Sequence, residues 1–312
     1  MNKLQRSWIL FKCSVSVVLQ NKKLLVFPIL SFVCTFVILA FVVTPVAFQR
    51  TGYHLNQGQH WKAVGGSLFM AKTVVAHARD GSTSMTRLNP KPMAIGIGAT
   101  VYLVAMFLAT FFNVAFFHQI LQALRGGSVS VRAGLQFAIS RLQAIFLWSL
   151  FAGLIGLLIK TLEERLEVVG QIVLRIVGTA WSLASVFVIP VLIVEPGSNP
   201  INVLRKSAST LKKTWGESLA GYVGLQFGGF LVFGVSLLFL VGAAFASAAL
   251  KSGALMGVAV VLWIFGLLAF GYLTNVASQV YRCALYVFAA EGNIPQPYSN
   301  ELLQMAWKTK NG

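Results

Sequence analysis

Six long apolar stretches divide this chain, and they constrain its fold more than any other feature. They lie at about 24–48, 93–117, 144–160, 172–194, 219–246 and 254–277. An α-helix needs about 20 consecutive apolar residues to cross the hydrocarbon core of a bilayer. A membrane-spanning β-barrel would instead show alternating segments of about ten residues. The pattern therefore predicts an all-α fold, a polytopic bundle of about six transmembrane helices.

The composition is that of a membrane protein. Hydrophobic residues make up 57% of the 312 residues and charged residues only 11%, whereas an average soluble domain carries about 25% charge. So much apolar surface cannot be hidden in one soluble core of this length. We therefore expect a single integral membrane domain over residues 1–312, with one long outer loop at about 49–92.

The chain has a net charge of +17, and its basic residues flank the apolar stretches. Cations in this position suit the anionic headgroups of lipids. The sequence contains no recognisable nucleic-acid-binding module. Membrane lipids are therefore the predicted partner and nucleic acid is not, while a protein partner stays open.

The placement of lysine and arginine predicts the orientation. If the N-terminus lies inside, the short outer loops hold only Lys160, Arg165 and Lys251. The inner segments hold Lys3, Arg6, Lys12, Lys22, Lys23, Arg125, Arg132, Arg141, Arg205, Lys206, Lys212, Lys213, Arg282, Lys308 and Lys310. The positive-inside rule then places both termini in the cytoplasm. The outer loop at 49–92 carries six basic residues, but loops of this length follow the rule less tightly.

Three inner segments have the period of an amphipathic helix, at about 2–20, 130–142 and 199–216. The clearest apolar stripe belongs to the third: Ile201, Leu204, Ala208, Leu211 and Trp215. Asn199 is the expected N-cap of this helix, with Pro200 at its first position. The chain therefore divides into three units of one amphipathic helix and two spans. Such helices can lie in the headgroup plane, pack under the bundle as elbows, or do both.

Two further patterns predict local structure. In the outer loop, 63–78 is predicted as a short helix and 80–84 as a turn or loop. Within the spans, Gly153 and Gly156, and likewise Gly224 and Gly228, allow helices to approach closely. We expect these glycines to serve packing inside one chain rather than dimerisation.

Polar residues inside apolar spans are the default functional candidates, because burying them in lipid is costly. The candidates are Asn113, His118, Arg175, Gln226 and Asn275. If they converge on one cavity near the middle of the membrane, they favour a transporter or channel. Arg175 also has a structural interpretation, either reaching the outer headgroups or pairing with Glu163, Glu164 or Glu167.

No catalytic constellation is evident. His54, His60 and His77 share the outer loop with Asp80, but their spacing matches no HExxH or CxxC-type pattern. The chain has no GxSxG elbow and no phosphate-binding P-loop. Its three cysteines, Cys13, Cys34 and Cys283, are far apart in sequence and are expected to be free thiols. We predict no catalytic, metal-binding or cofactor-binding residues and no cofactor.

An ordered set of residues between Gly178 and Glu217 follows the pattern G-x-A-W-S, F-V-x-P, E, R-x-S-A, K-K-T-W-G-E. This set resembles an uncharacterised prokaryotic family of multi-span membrane proteins. The resemblance implies a bacterial inner-membrane location and no known activity. It makes five residues a candidate functional or structural motif: Glu195, Arg205, Ser207, Trp215 and Glu217.

Together these observations predict an integral inner-membrane protein that is not an enzyme. Envelope organisation, or the binding of a lipid or protein partner, is the preferred function. A transporter or channel for a small solute or lipid is the alternative.

Overall fold

The computed structural model describes residues 3–78, 81–166, 168–195, 197, 199–214 and 218–299. Within these ranges, only the backbone is described for residues 3–8, 70–89, 168–169, 213–214 and 218–232. The first part of the chain forms α1 Lys3–Gln20, a 3-10 turn Lys22–Leu25, α2 Val26–Ala47, α3 Gly58–Leu68, β1 Phe69–Ala78, β2 Gly81–Pro90, α4 Pro92–Leu124 and α5 Val131–Ser140. The second part forms α6 Leu142–Arg165, α7 Val168–Ala184, α8 Val188–Val194, α9 Pro200–Thr214, α10 Ser218–Ala249 and α11 Gly253–Glu291.

Five stretches of helix in the described residues are long and apolar enough to cross a membrane. They are Lys22–Ala47, Pro92–Leu124, Leu142–Arg165, Gly170–Val194 and Gly253–Glu291. The predicted span at 219–246 falls in α10, which has 32 residues and is therefore about 48 Å long. Large apolar side chains such as Phe32, Phe41 and Phe265 point outward from the bundle, 72%, 79% and 67% exposed. The predicted polytopic α-helical bundle is confirmed.

The core lies at one end of the bundle. The buried residues of α4 run from about Phe112 to Leu124, and those of α11 lie mainly between Val276 and Val287. Buried side chains of α1, α5, α8 and α9 complete the same cluster. We call this region the packed end. Away from it the long helices expose apolar surface, as expected where lipid is the solvent.

Both ends of the described chain meet at the packed end. Tyr298, which follows α11, is 4% exposed. Its hydroxyl lies 2.7 Å from Ser14 Oγ on α1. Arg125, just after α4, forms an ion pair with Glu291 at the end of α11. The beginning of the chain and residues 292–299 therefore lie on the same side of the bundle.

The fourth predicted span, 172–194, lies within the apolar stretch Gly170–Val194, but this stretch consists of two helices rather than one. A turn at 185–187 separates α7 from α8. Proline lacks an N–H and its ring clashes with the carbonyl four residues earlier, so Pro190 cannot continue α7. It sits in the first turn of α8 instead, where its missing N–H leaves no helical hydrogen bond unmade.

The predictions for the outer loop are partly wrong. The helix expected over 63–78 ends at Leu68, and a β-hairpin of β1 and β2 follows. Its register runs from Phe69 opposite Pro90 to Ala78 opposite Gly81, so 81–84 is strand and not turn. The run Thr73-Val74-Val75 prefers extended backbone, and this local preference outweighs the weak helical period.

Close helix contacts occur at three glycines. A Cβ on Gly156 of α6 would lie 2.5 Å from Tyr102 Oη on α4, and one on Gly153 would lie 2.8 Å from Leu103 Cδ2. A Cβ on Gly134 of α5 would lie 2.8 Å from Phe27 Cζ. These glycines serve packing within one chain. The side chains around Gly224 and Gly228 lie outside the described part.

Candidate functional site

The motif between Glu195 and Ser207 joins α8 to α9. Ser207 is fully buried, and its Oγ accepts a hydrogen bond from the backbone N–H of Phe187 at 2.9 Å. Glu195 forms an ion pair with Lys206, whereas Arg205 is exposed. Ser207 thus satisfies a backbone donor freed by the break between α7 and α8. Trp215 and Glu217 lie outside the described residues.

Helix α9 begins as predicted, and its buried face overlaps the predicted stripe in part, at Leu204, Ala208 and Leu211. Asn199 Oδ1 accepts the N–H of Ile201 at 3.0 Å, which is an N-cap. The buried positions are Val203, Ser207 and Leu211, while Ile201 is 53% exposed. The predicted stripe omits Ser207, whose hydroxyl can be buried because it is hydrogen-bonded to the Phe187 N–H. The exposed face carries the cations Arg205, Lys206 and Lys212.

Among the intramembrane polar candidates whose side chains are described, Arg175 lies apart from Asn113, His118 and Asn275. Asn113 on α4 and Asn275 on α11 are exposed, and His118 is half-buried at the packed end. Arg175 lies on α7 toward the opposite end, and the side chain of Gln226 is outside the described part. A transporter hypothesis predicts convergence of these side chains, so this arrangement gives it no support.

Arg175 lines a cavity between α7 and α9. The cavity has a volume of about 590 Å³, and its lining includes Ile176, Thr179, Leu183 and Leu211. Arg175 Nε lies 3.4 Å from Glu163 Oε1 on α6. Thr179 donates its hydroxyl hydrogen to the Arg175 carbonyl. Apart from Arg175 and Thr179, the residues that line the cavity are apolar.

Among the outer-loop histidines, His60 is held in local hydrogen bonds, and the side chain of His77 lies outside the described part. His60 is 2% exposed, and its ring lies 2.8 Å from the Ala47 carbonyl and 2.6 Å from Thr51 Oγ1. Both ring nitrogens are thus engaged in holding α3 against the end of α2. Among the described residues, no three His, Cys, Asp or Glu side chains are placed to hold a metal ion.

The thiol of Cys13 and the phenol of Tyr298 belong to the contact between α1 and the segment after α11. Cys13 Sγ lies 3.9 Å from the Pro297 carbonyl, and burial raises the pKa of this thiol. Burial also raises the pKa of the Tyr298 hydroxyl well above its usual range. Both groups are therefore neutral at ordinary pH. Their contacts hold the segment that follows α11 against α1.

A polar arrangement around His118 lies at the packed end. Gln119 is 1% exposed. Its Oε1 accepts the backbone N–H of Ser130 at 2.8 Å, and its Nε2 lies 3.1 Å from His118 Nδ1. A backbone N–H can only donate, so the Gln119 oxygen must face Ser130 and its NH₂ must donate to His118. His118 Nδ1 is therefore an acceptor, and the ring carries its proton on Nε2.

An aromatic ring and two guanidinium groups surround this histidine. The His118 ring stacks on Phe137 of α5, with centroids 3.8 Å apart and planes 10° from parallel. Arg141 Cζ lies 5.3 Å from the same Phe137 centroid. The positive charges of Arg125 and Arg141 both lie within electrostatic range of the His118 ring. We call His118, Gln119, Arg125, Phe137 and Arg141 the His118 cluster.

Sequence reasoning identified His118 but missed the rest of this cluster. Two signals could have found it: a His-Gln pair at the end of an apolar stretch, and the i,i+4 pair Phe137 and Arg141 on the next helix. The two segments come together because Gly134 lets α5 approach α4. A Cβ at Gly134 would lie 2.9 Å from Gln119 Cγ and 3.0 Å from the Ala115 carbonyl oxygen.

The fold defines the class of protein, a polytopic α-helical membrane protein. Comparison with known families then places the chain further. The model of a family of unknown function, DUF6159, matches residues 95–295, and the chain belongs to this family. The expected membership of an uncharacterised family is thereby confirmed. No curated protein and no solved structure matches the chain.

Proposed function

We propose that this chain is a non-catalytic protein of the inner membrane whose packed end faces the cytoplasm and binds anionic lipid headgroups. The observation that carries the proposal is the charge of the packed end. Among the described residues, this end has two carboxylates, Glu195 and Glu291, each in an ion pair with a lysine or arginine. Its exposed cations include Lys22, Lys23, Arg125, Arg132, Arg205, Lys206 and Lys212.

The positions of these cations support contact with lipid rather than with a soluble partner. They lie on α5 and α9 and at the ends of the spans, where a bilayer would place its headgroups. Each lysine or arginine near an anionic membrane surface contributes about 1 kcal/mol of attraction. The same asymmetry of charge supports a cytoplasmic location of the packed end.

The lipids bound by the purified full chain test this proposal. Native mass spectrometry in detergent would compare binding of phosphatidylglycerol and phosphatidylcholine to the wild type and to Arg205→Gln/Lys212→Gln. Lys206 is kept because it pairs with Glu195. The control is Lys160→Gln/Lys251→Gln, which removes two exposed cations at the opposite end.

We expect a preference for phosphatidylglycerol that the α9 variant weakens and the control variant retains. At about 1 kcal/mol per cation, each lost charge reduces affinity by about fivefold. Equal affinity of the wild type for the two lipids would contradict the proposal.

A further inference from the structure

Two members of the His118 cluster, His118 and Arg141, present hydrogen-bond donors that no carboxylate among the described residues pairs with, whereas Arg125 pairs with Glu291. Gln119 fixes the His118 proton on Nε2, as its hydrogen bonds require. Nε2 is then a donor and cannot ligate a metal. Arg141 adds a guanidinium, and none of the ion pairs within the described residues includes it. A donor-only set of this kind is complementary to an oxyanion.

The cluster is held in place before any ligand arrives. Gln119 is buried and bonded to Ser130, which is the N-cap of α5. Phe137 contacts two groups of the cluster, since His118 stacks on its ring and Arg141 Cζ lies 5.3 Å from its centroid. Arg141 itself links α5 to α6, so its backbone is fixed by two helices. Donors positioned in this way lose little freedom on binding.

The surroundings favour an anion that carries hydrocarbon. Three large apolar side chains near Arg141 in sequence are exposed: Ile139 at 55%, Leu142 at 41% and Phe146 at 55%. His118 is six residues before the end of α4, about 9 Å along the helix axis, so the cluster lies close to the level where the span ends. A lipid would fit this arrangement, with its acyl chains on the exposed apolar side chains and its phosphate at the donors of His118 and Arg141.

From these contacts we infer that His118 and Arg141 form a specific site for a phosphate group, with an anionic lipid as the source of the phosphate. A guanidinium can bind two phosphate oxygens at once, while His118 Nε2–H donates to a third. The inference rests on the proposed function, because it names one discrete site within a surface proposed to bind headgroups.

The test measures binding by the detergent-purified full chain with three probes: short-chain phosphatidylglycerol, short-chain phosphatidylcholine and inorganic phosphate. The variants are Arg141→Gln, Arg141→Lys and His118→Phe. The phenylalanine of His118→Phe keeps an aromatic ring against Phe137 but removes the hydrogen-bond donor. The matched control is Arg132→Gln, which loses the same charge from an exposed position on α5. Arg141→Lys keeps the charge of a half-exposed residue, so it preserves the fold.

We expect Arg141→Gln and His118→Phe to weaken phosphatidylglycerol binding at least tenfold and Arg141→Lys at least threefold. Arg132→Gln should weaken it by no more than about fivefold, which is the general effect of one lost charge near the membrane surface. Equal losses for Arg132→Gln and Arg141→Gln would overturn the site and leave the proposed function standing, since binding would then follow overall charge. If inorganic phosphate binds as tightly as the lipid and the variants weaken its binding to the same degree, the claim that a lipid supplies the phosphate would be overturned. No preference for phosphatidylglycerol in the wild type would overturn the proposed function itself.

Discussion

The hydroxyl of Ser207 accepts a hydrogen bond from the backbone N–H of Phe187, with 2.9 Å between the two atoms. This contact links α9 to the turn between α7 and α8. Phe187 also packs on Tyr286 of α11, with ring centroids 5.9 Å apart. The break in the fourth span is therefore held from two directions.

Removing the Ser207 hydroxyl should destabilise the fold. In Ser207→Ala the buried N–H of Phe187 has lost its partner, and a buried unsatisfied donor costs about 1–3 kcal/mol. Ser209→Ala is the control, because Ser209 is exposed on the same helix and bonds only locally to the Lys206 carbonyl. Thermal unfolding in detergent should give a lower midpoint for Ser207→Ala alone. Equal midpoints for the two variants would contradict this role.

The ion pair between Glu195 and Lys206 should contribute little to stability. The two side chains are 32% and 55% exposed, and exposed ion pairs contribute about 0–1 kcal/mol. A double-mutant cycle with Glu195→Gln and Lys206→Gln, measured by thermal unfolding, should give a coupling energy within that range. Raising the salt concentration should reduce it further. A coupling several times larger would mean that the pair is shielded from solvent.

Tyr298 should make stability depend on alkaline pH. Burial raises the pKa of its hydroxyl, so the folded state keeps this proton above pH 10 while the unfolded state, with a pKa of about 10, releases it. This contribution is complete below about pH 10 and is lost as the pH rises further, at about 1.4 kcal/mol per pH unit. Unfolding at pH 9 and pH 11 should show a smaller difference for Tyr298→Phe than for the wild type. Tyr53→Phe, at an exposed position, should behave as the wild type does.

Gly134 should tolerate no side chain. An alanine Cβ there would lie 3.0 Å or less from Phe27 Cζ, Gln119 Cγ and the Ala115 carbonyl oxygen, and overpacking of this kind costs about 1–3 kcal/mol. Gly178→Ala is the control, because a Cβ at Gly178 meets nothing within 4 Å and alanine favours a helix over glycine by about 1 kcal/mol. The thermal midpoint should fall for Gly134→Ala and stay level or rise for Gly178→Ala. A rise in both would show that α5 does not pack closely on α4.

The sequence predicts the spans well because a long apolar stretch has few alternatives in a bilayer. Its failures have local causes. The helical period of this segment does not indicate the hairpin; the β-branched side chains of Thr73, Val74 and Val75 do, because they favour extended backbone. The break in the fourth span follows from Pro190, because a proline disrupts the helical turn that precedes it. The partners of His118 could not be predicted, since Gln119 and Arg141 meet it only through the packing of α5 on α4.

The arrangement of the chain across a membrane is the central claim, and reporter fusions at Gly81 and after the C-terminus test it most directly. Gly81 lies in the hairpin between the first two spans, whereas Tyr298 lies against α1 at the packed end. With α10 as a sixth crossing, a reporter at Gly81 should be outside and one at the C-terminus should be in the cytoplasm. Reporters on the same side of the membrane would contradict the account.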